Sequence, residues 1–250
     1  MKNIFLNLLI YLMLSLSPGF ASGQIITDNP PEAATKDQPD KAYVAPELEI
    51  YAGFTPAFTY RTLRENEGLF GEPIDYRVDE VGDWVTSFEA GIRSAITDNF
   101  LLELGMGYMR NRERYSFQSE NQDSVFRYSN TYRHLSFPIR VAYQFGDEIS
   151  FYGGIGLMPK AFISRQRKVT TLDINNQEQE EAFIEREGFN LFVIDAMASV
   201  GTRIAFNKNY GIFAIAEGRY QLTNNYDEQS PFIRNPYAIG FRIGVQVYLQ

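Results

Sequence analysis

The sequence predicts an all-β protein, an eight-stranded antiparallel transmembrane β-barrel of up-and-down meander topology. Three observations lead there. Apolar side chains recur at every second position in eight separate segments, which is the period of a strand with one greasy face. The connections between those segments alternate between very short and long. The second face of each segment is built from Gly, Ala, Ser and a few charges of both signs, which suits a narrow lumen better than a water-facing surface.

Residues 1–23 read as a secretory signal peptide. Lys2 supplies the positive start, Ile4 to Leu16 the apolar core, and Gly19, Ala21 and Gly23 small residues for cleavage. The apolar run is too short for a retained membrane helix. Residues 24–45 hold Pro30, Pro31, Pro39 and several charges without periodicity, and read as a disordered periplasmic leader. The barrel is expected over 46–250.

Its first segment sets Leu48, Ile50, Ala52, Phe54, Phe58 and Tyr60 against Glu49, Tyr51, Gly53, Thr55 and Thr59. The second sets Phe88, Ala90, Ile92 and Ile96 against Ser87, Glu89, Gly91 and Arg93. The third sets Phe100, Leu102, Leu104, Met106 and Tyr108 against Glu103, Gly105, Gly107 and Asn111. In the fourth, Leu135, Phe137, Ile139, Val141, Tyr143 and Phe145 oppose His134, Ser136, Arg140 and Gln144. In the fifth, Phe151, Ile155, Leu157, Ala161 and Ile163 oppose Ser150, Tyr152, Gly154, Gly156 and Lys160. The sixth pairs Phe192, Ile194, Ala196, Val200, Ile204 and Phe206 with Asp195, Ser199, Gly201 and Arg203. The seventh is weaker: Phe213 and Ile215 fall on the face of Glu217, Arg219 and Gln221, opposite Ile212, Ala214, Ala216, Tyr220 and Leu222. The eighth is the clearest, with Tyr237, Ile239, Phe241, Ile243, Val245, Val247 and Leu249 on one face and Ala238, Gly240, Arg242, Gly244, Gln246 and Tyr248 on the other.

Thr97-Asp98-Asn99, Gly146-Asp147-Glu148 and Asn207-Lys208-Asn209 are rich in turn formers and read as tight hairpins. Between them lie long polar stretches, Arg61 to Trp84, Asn111 to Thr131, Gln166 to Gly188 and Thr223 to Pro236. Short periplasmic turns and long exterior loops are the pattern of an outer-membrane barrel. Aromatics mark both ends of the apolar face: Phe100, Tyr143, Phe145, Phe151, Phe206 and Tyr210 on the turn side, Tyr60, Trp84, Tyr108, Tyr220 and Tyr237 on the loop side. Rings with one apolar and one wet end form such girdles.

On the lumen face, Glu49, Glu89, Glu103, Asp195 and Glu217 stand against Arg93, Arg140, Lys160, Arg203, Arg219 and Arg242. A desolvated charge costs several kcal/mol unless paired, so a plugged lumen holding an ion-pair network is expected. The exterior loops carry many acids, among them Glu80, Asp83, Glu178 and Glu180, read as charge that keeps loops soluble.

Composition excludes several functions. The net charge of -8, with no basic stripe to neutralise phosphates, argues against nucleic acid as a partner. The absence of Cys removes disulfides, thiolate chemistry and lipid attachment through an N-terminal Cys. A single His, His134, forbids a multi-His metal site within one chain.

With the segments placed, Leu135-Ser136-Phe137-Pro138-Ile139-Arg140-Val141-Ala142-Tyr143 resembles a Pro-containing strand of the outer-membrane β-barrel domain family common in Bacteroidetes and called PorT-like. Gly153-Gly154-Ile155-Gly156-Leu157-Met158-Pro159 and the Gly-rich last strand add to the likeness, which covers Pro46 to Gln250. The resemblance implies an eight-stranded barrel with periplasmic termini, in a family where most members have no assigned activity and some resemble parts of secretion and gliding machinery.

The expected role is therefore structural, surface-contact or envelope assembly in the outer membrane. The expected partners are outer-membrane lipid and other envelope proteins reached through the long loops or the leader. Two alternatives stand beside it. His134 and Ser136, two apart on one strand, are similar to the His-x-Ser of barrel lipid A deacylases, which would make the chain a lipid-modifying enzyme. Against that, Phe137 follows where the motif wants Asn, the pair falls on the lumen face, and no acid is placed to orient His134. The other alternative is a soluble periplasmic carrier of an apolar ligand, which has the same alternation turned inside out. No catalytic, cofactor-binding or metal residue is assigned, and no cofactor is expected.

Overall fold

The computed structural model describes residues 48–65, 79–118, 125–146, 148–172, 177–228, 230 and 232–249. The expected signal peptide and leader lie outside them. Ten strands follow in order: β1 (Leu48–Glu65), β2 (Val81–Ala95), β3 (Phe100–Gln118), β4 (Val125–Ser136), β5 (Ile139–Phe145), β6 (Ile149–Leu172), β7 (Glu178–Glu185), β8 (Phe192–Ala205), β9 (Tyr210–Gln221) and β10 (Phe232–Leu249).

These strands make eight spans. β4 and β5 are one span interrupted at Phe137-Pro138, because proline has no N–H to give to a ladder. The interruption is local. Pro138 O still accepts from Gly105 N at 3.0 Å, and Phe137 N donates to Pro159 O at 2.9 Å. β7 stands outside the ring as a hairpin arm on β6, from Leu172↔Glu178 to Arg165↔Glu185. The others pair antiparallel with their neighbours around the ring. The seam between β1 and β10 closes it, from Leu48↔Leu249 to Glu65↔Phe232. Closure leaves no unpaired sheet edge around the ring, the condition a β-structure must meet to sit in lipid.

Two of the three tight turns fall where expected, and Asp147 of the third lies outside the described residues. Ile96 N donates to Phe100 O at 2.7 Å, and Asn207 Oδ1 accepts from Asn209 N and Tyr210 N at 2.8 and 2.9 Å. Gly146 sits at φ 100°, the left-handed region that a side chain disfavours.

The long polar stretches differ from expectation, since much of them is strand. β3 and β4 run on through Gln118 and Val125, β6 and β7 fill most of 166–188, and β1 continues to Glu65. The ladders climb past the apolar belt, where both faces meet polar surroundings and alternation loses its apolar contrast.

The greasy face points outward in every span. Ile155, Ile239 and Val200 are 71%, 66% and 65% exposed, while Glu103, Arg93 and Arg242 on the other face are fully enclosed. The soluble-carrier alternative needs the opposite arrangement and is overturned. Both aromatic girdles are present: Phe100 packs edge-on to Tyr143 at 5.3 Å and Phe145 stacks on Phe151 at 5.2 Å on the turn side. Tyr60 meets Tyr237 at 6.0 Å and Phe58 meets Trp84 at 6.2 Å on the loop side. A closed barrel wearing an apolar belt between two aromatic rings is a transmembrane barrel of outer-membrane type.

Candidate functional site

The lumen is where the strands converge their polar side chains. Every charged residue expected there is buried: Glu49, Glu89, Glu103, Asp195 and Glu217 with Arg93, Arg140, Lys160, Arg203, Arg219 and Arg242. The centre is a lattice of shared partners. Arg140 Nη1 donates to Glu89 Oε1 at 2.6 Å and Glu103 Oε1 at 2.7 Å, and Arg140 Nη2 reaches Glu217 Oε2 at 3.2 Å. Arg242 Nη1 donates to Glu89 Oε1 at 3.0 Å and also to Glu103. Arg93 Nε meets Glu103 Oε2 at 2.7 Å, and its Nη1 meets Glu49 Oε2 at 3.1 Å. Towards the short turns, Arg203 joins Glu49, and its Nε donates to Gln246 Oε1 at 3.0 Å. Towards the loops, Lys160 Nζ pairs with Asp195 Oδ1 at 2.6 Å. Each carboxylate thus serves at least one cation, which offsets the desolvation that an isolated one would suffer.

Apolar groups fill the rest of this interior. Phe213 and Ile215, the residues that broke the alternation of the seventh segment, pack with Tyr51, Ala142 and Tyr152. The Arg93 guanidinium lies 4.5 Å from the Tyr51 ring centre. Met109, Met158 and Met197 form a second cluster.

Above the loop-side girdle comes a tier that sequence reasoning missed. Arg61 pairs with Glu80, and its Nε lies 3.0 Å from Glu113 Oε2, which Arg234 Nη2 also reaches at 3.2 Å. Glu80, expected as an exterior loop acid, is 2% exposed and accepts from Tyr128 Oη at 2.7 Å. Tyr132 Oη donates to Glu113 Oε1 at 3.0 Å, and burial followed by that carboxylate pushes the phenol well above its ordinary pKa. An aromatic cluster of Tyr132, Phe162, Tyr226 and Phe232 packs with Phe189 and Leu63 beside it. Phe162 stacks on Phe189 at 4.5 Å, and Phe189 is bridged to Tyr226.

His134 and Ser136 both lie on the lumen side and are fully enclosed. His134 meets the Phe162 ring edge-on at 5.5 Å, and neither of its nitrogens hydrogen-bonds a carboxylate among the described residues. The pair faces away from lipid, and among the described residues no acid orients the imidazole.

Comparison with known proteins adds little beyond this geometry. No family model matches the chain, and no curated protein matches it. Among solved structures, Neisserial surface protein A is 12% identical, with 81% of this chain and 97% of that chain covered and a TM-score of 0.41. The outer membrane protein OprG from Pseudomonas aeruginosa is 12% identical over 82% of this chain and 97% of that chain, TM-score 0.43. The outer membrane protease OmpT from Escherichia coli is 8% identical over 84% of this chain and 99% of that chain, TM-score 0.42. The fold rests on the strand pairing, and likenesses this distant carry no functional argument.

Proposed function

We propose that this protein is an outer-membrane barrel with a plugged lumen, in a structural, surface-contact or envelope-assembly role. The observation that carries the reading is the coincidence of an apolar exterior with an interior of mutually paired charges. Glu89 and Glu103 are each shared by Arg140 and Arg242, so the cations are committed to partners and not held open for a passing solute. Eight spans leave a lumen about as wide as the side chains that fill it.

The strands that rise above the girdle support a contact role, since β3–β4 and β6–β7 offer surface beyond the belt. The PorT-like resemblance belongs to the same reading. Its two motifs face each other across one ladder, with Tyr143 opposite Gly153 and Ile139 opposite Leu157. The lipid-modifying alternative draws no support from the enclosed His134–Ser136 pair.

The test is fractionation with gel mobility before and after boiling, followed by planar-bilayer recording of the purified chain. Outer-membrane recovery, a heat-dependent shift and a silent bilayer are expected. Steady single-channel steps would sink the plugged lumen, and recovery in the soluble periplasm would sink the barrel's placement.

A further inference from the structure

On β3 the outward side chains read Phe100, Leu102, Leu104, Met106 and Tyr108, then Arg110, Arg112 and Arg114. The change from apolar to arginine is abrupt and falls at the loop-side girdle. Antiparallel pairing puts Arg133 of β4 directly across from Arg110, two residues above the Tyr108↔Leu135 pair. Like charges directly opposite on a sheet repel, yet neither arginine has a carboxylate partner among the described residues. Arg110 donates to Thr86 O from Nε at 2.7 Å and also from Nη2, and Arg133 Nη2 donates to Gln166 Oε1. Arg112 reaches Asp83 only at 3.6 Å, with its side chain 34% exposed. Two other cations of this sheet above the girdle are matched, Arg127 with Glu178 at 3.0 Å and Lys168 with Glu180 at 2.7 Å, while Arg167 lies over the Tyr128 ring. Across the ring, the pair just above the Tyr60↔Tyr237 girdle is Thr62↔Asn235, uncharged. On the outward face of β3–β4 these cations form a local basic strip that the overall charge of -8 conceals.

The height of this cluster identifies what it meets. Phe100 to Tyr108 spans eight residue steps, about 26 Å along the strand and about 20 Å along the normal at a tilt of about 40°. Arg110, Arg112 and Arg114 then lie about 5, 10 and 15 Å beyond the girdle, and the first two fall within reach of a headgroup layer about 5–8 Å deep on each side. Guanidinium forks two apart on one strand and opposite across a ladder match phosphate oxygens better than single ammonium points do.

We infer that the outer flank of β3–β4 above the girdle, with Arg110, Arg133 and Arg112 at its centre, is a binding site for a lipid headgroup that exposes a terminal phosphate of net negative charge, as phosphatidic acid does and zwitterionic phosphatidylcholine does not. The assignment rests on the outer-membrane reading of the barrel. Phosphate on the lipid supplies the counter-charge that the protein withholds from Arg110 and Arg133, while the acyl chains continue down the apolar face of Tyr108, Leu135 and Met106.

The test uses the full chain in phosphatidylcholine nanodiscs, with and without phosphatidic acid, and scores the heat-dependent gel shift separately, so failure of the barrel is distinguishable from failure of the site. Native mass spectrometry should show phosphatidic acid retained by the wild type. Retention should drop about 25-fold in Arg110→Gln/Arg133→Gln, at about fivefold for each cation lost near a lipid surface. Arg64→Gln, on β1, should leave it unchanged. Phenylglyoxal footprinting of the wild type needs no variant: phosphatidic acid should protect Arg110 and Arg133, and phosphatidylcholine should not. Equal retention by the double variant, equal protection by both lipids, or displacement of the lipid by millimolar inorganic phosphate would each overturn the assignment, the last by pointing to free phosphate as the ligand.

Discussion

Replacing Glu103 by Gln tests the lumen lattice at its most connected point. Glu103 is fully enclosed and accepts from Arg93 Nε at 2.7 Å, Arg140 Nη1 at 2.7 Å, Arg242 Nη1 and Tyr152 Oη at 3.2 Å. Glutamine fills nearly the same space but presents an NH₂ group to a guanidinium where the carboxylate presented oxygen. Three buried guanidinium groups then share one carboxylate fewer. Breaking a buried pair by removing one partner costs about 3–5 kcal/mol, since the remaining charge stays desolvated. Urea unfolding in detergent, followed by the heat-dependent gel shift and Trp84 fluorescence, measures the loss. Glu180→Gln is the internal control. It also removes a carboxylate from a 2.7 Å pair, but those side chains are 47% and 55% exposed, so the change should stay within about 0.5 kcal/mol. The double variant Glu103→Gln/Arg242→Met should lose less than the sum of the singles by at least about 1 kcal/mol, because the second change removes a stranded cation. If Glu103→Gln costs under about 1 kcal/mol, matching the exposed control, the lumen is wet enough to screen its charges and the plugged interior is wrong.

Ile243, outward in the middle of β10 between Phe54 and Ala214, should lose about 2–4 kcal/mol of folding stability in lipid vesicles on change to Arg; a loss no greater than that of Thr62→Arg would place the belt out of lipid. Gly91→Ala should destabilise by about 1–3 kcal/mol in the same urea assay, because its Cβ would stand 2.7 Å from both Gly105 Cα and Tyr51 Oη and also against Leu104 O; a neutral result would show that the ladder there yields easily. His134→Leu should change stability by less than about 1 kcal/mol and leave the phosphate groups and acyl chains of co-expressed lipid as mass spectrometry finds them with the wild type; a lipid species lost in the variant would revive the enzyme reading.

Much of the fold was legible in period-two alternation, because inside the belt each strand has one face in lipid and one in a crowded interior. That contrast placed Glu103, Arg140 and Arg242 on a common face before any pairing was known. Even Phe213 and Ile215, which disturb the pattern, sit in the lumen that their parity assigns, as packing against Tyr51 and Tyr152. The reading failed where the contrast ends. Above Tyr108 the outward residues are arginines and the inward ones Asn111 and Glu113, so both faces of β3 are polar and 111–131 looked like loop. With the ladder unseen, Arg61, Glu80, Glu113 and Arg234 could not be brought together, and Arg110 could not be set opposite Arg133. Cross-strand register, which hydrophobic pattern alone does not supply above the belt, was the missing quantity.

The seam between β1 and β10 has a consequence for biogenesis. It joins residues about two hundred apart in the chain, and closing a free loop of that length costs about 5 kcal/mol of chain entropy, so the seam waits for the intervening strands to pair and bring its ends together. Until those strands meet, β1 and β10 each carry a row of unsatisfied amides and carbonyls, an open template for aggregation. Nor is there a half-built state with a sealed wall, since closure comes only when the first and last strands pair. A chain of this kind therefore needs its two edges shielded during transit, and its arrival in the bilayer should be a single cooperative event in which the final hydrogen-bonded ladder commits all the others.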